Sequence, residues 1–257
     1  MKKVLVTGGG GFIGGHFKRL IENDFEVTNY DLKEEWDIRQ SLPYAEFDYV
    51  VHFAAKRNVS ESELYPKDYI DTNCWGTLNL LRSYSDARFI NISSSSVNDV
   101  RSVYGATKQF AEAMVNRCEN SLNIRLYNVF GEHQPIESGA VLTNFIKAKQ
   151  NKEVPIVYGS GHQKRDFTYV GDVVESILHA MLSKQTGTTH FGYGHSISVI
   201  NLLLEVYNDI PECIYKPTRG FEITNSISPT PLPIIKYGRS EGLKRTIKWY
   251  ESSLARV

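Results

Sequence analysis

Val4-Leu5-Val6-Thr7-Gly8-Gly9-Gly10-Gly11-Phe12-Ile13-Gly14 is the stretch that decides the fold: an apolar run that turns at once into glycines at 8, 11 and 14. It reads as a buried strand, a tight turn and the start of a helix. Gly8 supplies the turn, Gly11 lets backbone N–H groups approach a pyrophosphate, and Gly14 lets the helix lie close to the sheet with its positive end toward the phosphates. The stretch therefore has the form of a dinucleotide cradle.

Outward from that turn, apolar runs alternate with helical periodicity. Strands are predicted at 3–7, 26–31, 48–53, 88–93 and 123–129, with helices from about 11 and near 68–85 and 103–120. Strand–helix–strand repetition specifies an α/β fold, a doubly wound parallel sheet covered on both faces, whose ligands bind beyond the carboxyl ends of the strands. Past Gly131 the pattern loosens into a helix near 141–150, a strand at 156–158, a helix at 170–183, a strand at 190–193 and a helix capped by Ser198. Ile227-Ser228-Pro229-Thr230-Pro231-Leu232-Pro233 excludes a helix, and 240–252 can form a last one. The expected organisation is a sheet domain over 1–131 and a small irregular lobe over 132–257, of which about 170–193 returns to the first domain.

The chain has 257 residues, with 29 Lys plus Arg against 29 Asp plus Glu, so no broad basic field exists to attract nucleic acid or anionic lipid. No apolar stretch approaches the ~20 residues that span a bilayer, and Met-Lys-Lys runs straight into the first strand, so the expected address is the cytoplasm. Cys74, Cys118 and Cys213 lie far apart without metal spacing, as do His52, His133 and His162; reduced thiols and no metal are expected. Asp172 is read as stabilising a helix of the lobe.

Asp31 ends the second strand, twenty-three residues after Gly8, where a carboxylate accepts from both hydroxyls of an adenosine ribose. That favours NAD over NADP, whose 2′-phosphate would meet a like charge, although Lys33 puts an opposite one close by. Tyr104 and Lys108 are four residues apart and share a helix face. An ammonium about 4 Å from a phenol is worth ~4 kcal/mol at an effective dielectric of 20, enough to bring tyrosinate toward neutral pH. Upstream, Ser93-Ser94-Ser95-Ser96 closes another apolar strand.

Together with Val51-His52-Phe53-Ala54-Ala55, Asn73-Cys74-Trp75-Gly76-Thr77-Leu78-Asn79-Leu80-Leu81, Arg125-Leu126-Tyr127-Asn128-Val129-Phe130-Gly131 and Gln163-Lys164-Arg165-Asp166-Phe167, these motifs resemble the extended short-chain dehydrogenase/reductase family of nucleotide-sugar epimerases and dehydratases, over nearly the whole chain. The resemblance implies a Rossmann sheet with a small C-terminal substrate-binding lobe. It implies NAD held by Gly8, Gly11, Phe12, Ile13, Gly14, Asp31, Asp37, Ile38, Phe53, Ala54, Ala55, Asn73, Tyr127, Tyr104 and Lys108. Tyr104 would be the acid–base, Lys108 its partner and ribose ligand, and Ser94 the hydroxyl that holds the substrate oxygen, with Ser93 and Ser95 as rivals.

Asn128, Asn144, Arg165 and Arg219 match positions that clamp a nucleoside diphosphate. Relatives that eliminate water carry Asp-Glu directly after the catalytic hydroxyl residue, and decarboxylases carry Glu two residues after it; here Ser95 and Ser96 stand there. The gap from Ser94 to Tyr104 is only ten residues, shorter than the family's usual loop, although ten residues still reach ~33 Å. The implied activity is a UDP-hexose 4-epimerase working through a 4-keto sugar. A decarboxylase, dehydratase or ketoreductase of the same fold, and a non-catalytic NAD-binding protein, stay open as alternatives. A homodimer formed through the helices near 68–85 and 103–120 is also implied.

Overall fold

The computed structural model describes residues 1–218 and 225–254. In chain order the first elements are β1 (Lys3–Thr7), α1 (Phe12–Ile21), β2 (Glu26–Tyr30), β3 (Tyr49–His52), α2 (Val59–Leu64), α3 (Pro66–Tyr69), α4 (Gly76–Ser83), β4 (Arg88–Ser94), α5 (Val103–Val115) and β5 (Ser121–Leu126). There follow β6 (Asn128–Phe130), α6 (Val141–Asn151), β7 (Ile156–Tyr158), β8 (Lys164–Arg165), β9 (Phe167–Tyr169), α7 (Val170–Leu182), β10 (Gly187–Phe191), β11 (Ile197–Ser198), α8 (Val199–Tyr207), β12 (Ile214–Lys216), β13 (Asn225–Ser226) and α9 (Gly238–Leu254). They form two compact units, Met1–Leu126 with Val174–Phe191, and Tyr127–Val173 with Gly192–Val257.

The first unit is built on a six-stranded parallel sheet in the order β10-β5-β4-β3-β1-β2. Every residue of β3 is buried, as a strand covered on both faces requires. Thr7, the last residue of β1, is in register with Tyr30 on one side and His52 on the other. The chain leaves β1 for β2 at one flank and then crosses to β3 at the other. This reversal opens a crevice at the strand tips, where the glycine turn sits. Beneath it Leu5, Tyr30, Ile38, Val50, Leu80 and Phe89 belong to one core cluster, each large aliphatic side chain contributing about 1.5–3 kcal/mol by burial.

Three expected elements differ. The helix near 68–85 starts at Pro66, suited to a first helical position, and carries a π-helical turn over Ile70–Trp75 before α4. The strand expected at 123–129 breaks at Tyr127: β5 stops at Leu126, and β6 pairs with β9 in the second unit. The boundary therefore falls after Leu126, not after Gly131. The strand expected at 190–193 is β10, over Gly187–Phe191, because its parallel register with β5 runs from Gly187↔Leu122 to Phe191↔Leu126.

The second unit has small sheets, β11-β8-β13, β12-β7 and β6-β9, and two buried carboxylates fasten segments that no ladder holds. Asp166 accepts from the backbone N–H groups of Tyr193, Gly194 and Ser228. Asp172 accepts from the N–H groups of Lys236, Tyr237 and Gly238 and from the Tyr193 phenol. Around the prolines of 229–233, which have no N–H to offer a ladder, charge-assisted bonds take over that role. Ser198 caps α8 as expected, accepting from Asn201 N–H at 3.1 Å.

Candidate active site

Gly8 has φ +74°, and a Cβ there would lie 2.6 Å from the Ala54 nitrogen, so only glycine permits the tips of β1 and β3 to cross. A Cβ on Gly14 would lie 2.3 Å from the Gly8 carbonyl oxygen. Gly11 is the N-cap of α1, and no side chain caps it, which leaves the first N–H groups of the helix, at Phe12 and Ile13, to an anion. Asp31 accepts from Gly10 N–H at 2.9 Å and from Lys33 N–H at 3.0 Å, while the Lys33 ammonium donates to Gly10 O at 2.7 Å. A bare helix start, a glycine crossing without room for side chains and a carboxylate fixed beside them fit a dinucleotide.

Other expected cofactor residues fall differently. Ile38 is a core side chain packed over Gly76, where a Cβ would lie 2.6 Å from Ile38 Cδ1. Asp37 holds Arg39 in a bidentate pair, and that guanidinium draws its carboxyl below the usual range. Phe53 turns its ring onto Phe17 of α1, with ring centroids 5.4 Å apart, and Ala54 packs against the core cluster. Asn73 is buried; its Oδ1 accepts from Lys56 N–H and its Nδ2 donates to Lys56 O and to Thr107 Oγ1. It braces the loop after β3 against α5. Tyr127 is buried directly beyond β5.

Ser94 closes β4, and its hydroxyl draws the Tyr104 phenol toward ionisation. Ser94 Oγ also lies 3.1 Å from Ser96 Oγ and accepts from Ser96 N–H at 3.1 Å. Ser93 faces elsewhere: its hydroxyl donates to Glu112 Oε1 at 2.5 Å, and Glu112 is paired with Arg125 at 2.6 Å. Ser95 opens the 3-10 turn Ser95–Val97. Of the four serines, Ser94 is the one that favours the ionised form of the Tyr104 phenol.

Tyr104 lies in the first turn of α5, where its N–H is accepted by Ser62 Oγ at 3.1 Å and the Val103 N–H by Glu63 at 2.8 Å, both from α2. Ser102 accepts from Gly105 N–H, so three side chains satisfy the helix start. Lys108 is one turn further, 4 % exposed, and its ammonium donates to Ile92 O at 2.6 Å. Burial pushes the Lys108 pKa down to about 8, against the opposing pull of Glu112 and the Cys74 thiol.

The phenol itself is raised by burial and lowered by the Ser94 bond and the charge of Arg57. Arg57, two residues beyond Ala55 past the tip of β3, is a cation that eases ionisation of Tyr104, while the Lys108 ammonium donates to a carbonyl, as its buried charge requires. Sequence reasoning missed Arg57, and its place just past a strand tip was the available signal.

His52 ties this site to the glycine turn. The Thr77 hydroxyl donates to Asn73 O at 2.7 Å, so Thr77 Oγ1, 3.0 Å from His52 Nε2, can only accept from that nitrogen. Nε2 therefore carries the proton, and Nδ1, 2.7 Å from Thr7 Oγ1, accepts from the Thr7 hydroxyl. Thr7 Oγ1 in turn accepts from Ala54 N–H at 3.3 Å. Burial, with the Lys108 charge adding to it, pushes the imidazole down to about 3.

In the second unit Asn128, Asn144 and Arg165 line one cavity of about 480 Å³, with Lys147, Tyr158 and Gln163 around it. The volume suits a small-molecule site. Lys147 is held by Glu137 at 2.7 Å, and Gln163 donates to Tyr158 O at 2.7 Å. Lys147, Tyr158 and Gln163 were not predicted; Lys147 reaches the cavity from α6, Tyr158 from the end of β7 and Gln163 from the residue before β8. Arg219 lies outside the described residues. Among the described residues no cluster of His, Cys, Asp and Glu could hold a metal, and no helix is long and apolar enough to cross a membrane.

The sequence profile of the NAD dependent epimerase/dehydratase family matches residues 4–194. Among solved structures, the chain is similar to a UDP-glucose 4-epimerase with UDP-glucose from Thermotoga maritima, at 27% identity and a TM-score of 0.86, covering 98% of this chain and 99% of that one. It is similar also to a UDP-N-acetylglucosamine 4-epimerase from Methanobrevibacter ruminantium, at 26% identity and a TM-score of 0.84, with the same coverage. A UDP-glucuronic acid decarboxylase of Arabidopsis thaliana is 28% identical over 247 residues, 78% of this chain and 72% of that protein.

Proposed function

This chain belongs to the NAD dependent epimerase/dehydratase family, and from that premise we propose that it interconverts UDP-hexoses epimeric at C4. The observation that carries the reading is that the first turn of α5, which bears Tyr104, packs on the serine run ending β4, where a Cβ on Gly105 would lie 3.1 Å from Ser96 O and the Ser94 hydroxyl lowers the phenol. NAD, the cofactor of the family, supplies when bound an acceptor for the hydride of C4 that later gives it back. Gly8, Gly14, Asp31 and the start of α1 would hold it.

The chain's own part is proton handling and positioning. Tyr104 takes the proton of the sugar 4-hydroxyl and returns it to the same oxygen, while Ser94 keeps that oxygen at hydrogen-bond distance from the phenol. Arg57 favours the ionised phenol, and the α2 side chains Ser62 and Glu63 fix the helix turn that carries it. Lys108 would turn from Ile92 O to the nicotinamide ribose. The cavity bearing Asn128, Asn144 and Arg165 would hold the nucleoside diphosphate, with Arg219 as a further ligand.

Epimerisation is favoured over elimination and decarboxylation because Ser95 and Ser96 follow Ser94 where those reactions place a carboxylate. Ile70, Trp75 and Phe110, exposed on the π-turn and α5, support a homodimer through these helices. The test is incubation with UDP-glucose, UDP-galactose, UDP-N-acetylglucosamine and UDP-glucuronate. Interconversion of C4 epimers is expected, with Tyr104→Phe lowering kcat by about 10²–10⁴-fold and leaving bound NAD unchanged. Release of water or CO₂ in place of an epimer, or full activity in the Phe variant, would refute the proposal.

A further inference from the structure

The loop between β2 and β3 carries an aromatic surface that the proposed chemistry does not use. Trp36 lies with one face on Tyr30, ring centroids 4.6 Å apart and planes inclined by 18°, so that face is covered by a core residue. The side chain is nevertheless 39 % exposed, and Leu32, at the start of the same loop, is 68 % exposed. The loop holds its shape firmly. Trp36 N–H donates to Asp31 O at 3.0 Å. Glu35, just before it, takes the left-handed conformation at φ 64°, which a glutamate rarely adopts and which turns the chain back toward Tyr30. Asp37 and Arg39 close the other side through their bidentate pair.

We infer that the outer face of Trp36 is the platform on which the adenine of NAD stacks, with Leu32 at its edge. Asp31 fixes where the adenosine ribose goes, because its carboxylate stands beside Gly10 at the glycine turn. Adenine must leave that ribose toward the loop that Asp31 itself begins. Ile38 is buried in the core and Asp37 is engaged by Arg39, so neither offers a free apolar side chain there. Trp36 does, five residues from Asp31 and joined to its carbonyl. A purine on the open face of an indole that is already stacked from below gains base–aromatic contact without reordering the ring.

The inference rests on NAD as the cofactor, and the experiment separates the two. Protein freed of nucleotide is titrated with NAD, AMP and nicotinamide mononucleotide while tryptophan emission is followed and affinities are measured by calorimetry. NAD and AMP are expected to quench the emission and nicotinamide mononucleotide to leave it unchanged. Trp36→Phe, which keeps Trp75 and Trp249, should remove most of the quench and retain binding. Trp36→Ala should weaken AMP and NAD by about tenfold, the scale of one lost base–aromatic stack, with circular dichroism close to the parent, a melting point lower by the lost Tyr30 contact and nicotinamide mononucleotide binding unchanged. NAD binding that leaves the Trp36 emission unchanged, or an Ala variant that binds AMP as tightly as the parent, would overturn the stacking role alone. Failure of NAD to bind at all would remove the cofactor assignment with it.

Discussion

Replacing His52 by glutamine should flatten the acid side of the protein's stability profile. The imidazole is buried, donates from Nε2 to Thr77 and accepts at Nδ1 from Thr7, and its pKa stands at about 3 against an ordinary 6.5. A depressed folded-state value means that the unfolded chain binds a proton the folded chain refuses. The stabilising contribution is complete above pH 6.5 and is lost as the pH falls from 6.5 toward 3. At pH 7.5 the difference is negligible, whereas at pH 5 it is about 1.5 pKa units, or about 2 kcal/mol. That is a large share of a typical 5–15 kcal/mol margin.

The Gln variant can still donate toward Thr77, but it loses the acceptor for Thr7, at a cost of about 1–3 kcal/mol at any pH. Urea unfolding of both proteins at pH 7.5 and pH 5 isolates the proton-linked part, since the other carboxylates and histidines are common to both. The parent should lose about 2 kcal/mol more than the variant between the two conditions. Nitrogen NMR should show the Nε2–H tautomer persisting at pH 5 in the folded parent. Equal losses in parent and variant, or a protonated imidazole in the folded protein at pH 5, would refute both the burial argument and the assigned tautomer.

Other substitutions probe the remaining parts. Arg57→Gln removes the cation that lowers the Tyr104 phenol, so the limb of the pH–rate profile governed by that phenol should move to higher pH; an unmoved limb would show that Arg57 does not act on it. Gly14→Ala would place a methyl 2.3 Å from Gly8 O and should abolish NAD binding and lower Tm, whereas Gly11→Ala, at φ −83° and 3.1 Å from the same oxygen, should change stability by less than about 1 kcal/mol while weakening NAD in calorimetry. Asp172→Ala would strand the N–H groups of Lys236, Tyr237 and Gly238 together with the Tyr193 phenol, and should cost about 3–5 kcal/mol in chemical denaturation.

Much of this molecule could be read along the chain because the relevant physics is local. The glycine turn is specified by residues that touch one another within a few positions, Tyr104 and Lys108 share a face because of helical spacing, and Asp31 sits where a strand must end. The central strands β1 and β3 announced themselves by short apolar runs, and Ser198 by its place before an apolar helix face. Tertiary structure decided whatever depends on a segment far away in the chain.

It separated Ser94 from Ser93 by placing Glu112 beneath one and the Tyr104 phenol beside the other. It directed the Lys108 ammonium to Ile92 O and set the Arg57 charge where it lowers the Tyr104 phenol. It withdrew Ile38 into the core, used Asn73 as a brace, and brought Ser62 and Glu63 from α2 to the start of α5. A hydroxyl, an ammonium or a carboxylate has the same local sequence signature whether it faces a ligand or a neighbouring backbone group. Only the packing of distant elements determines which partner satisfies it once water has been excluded.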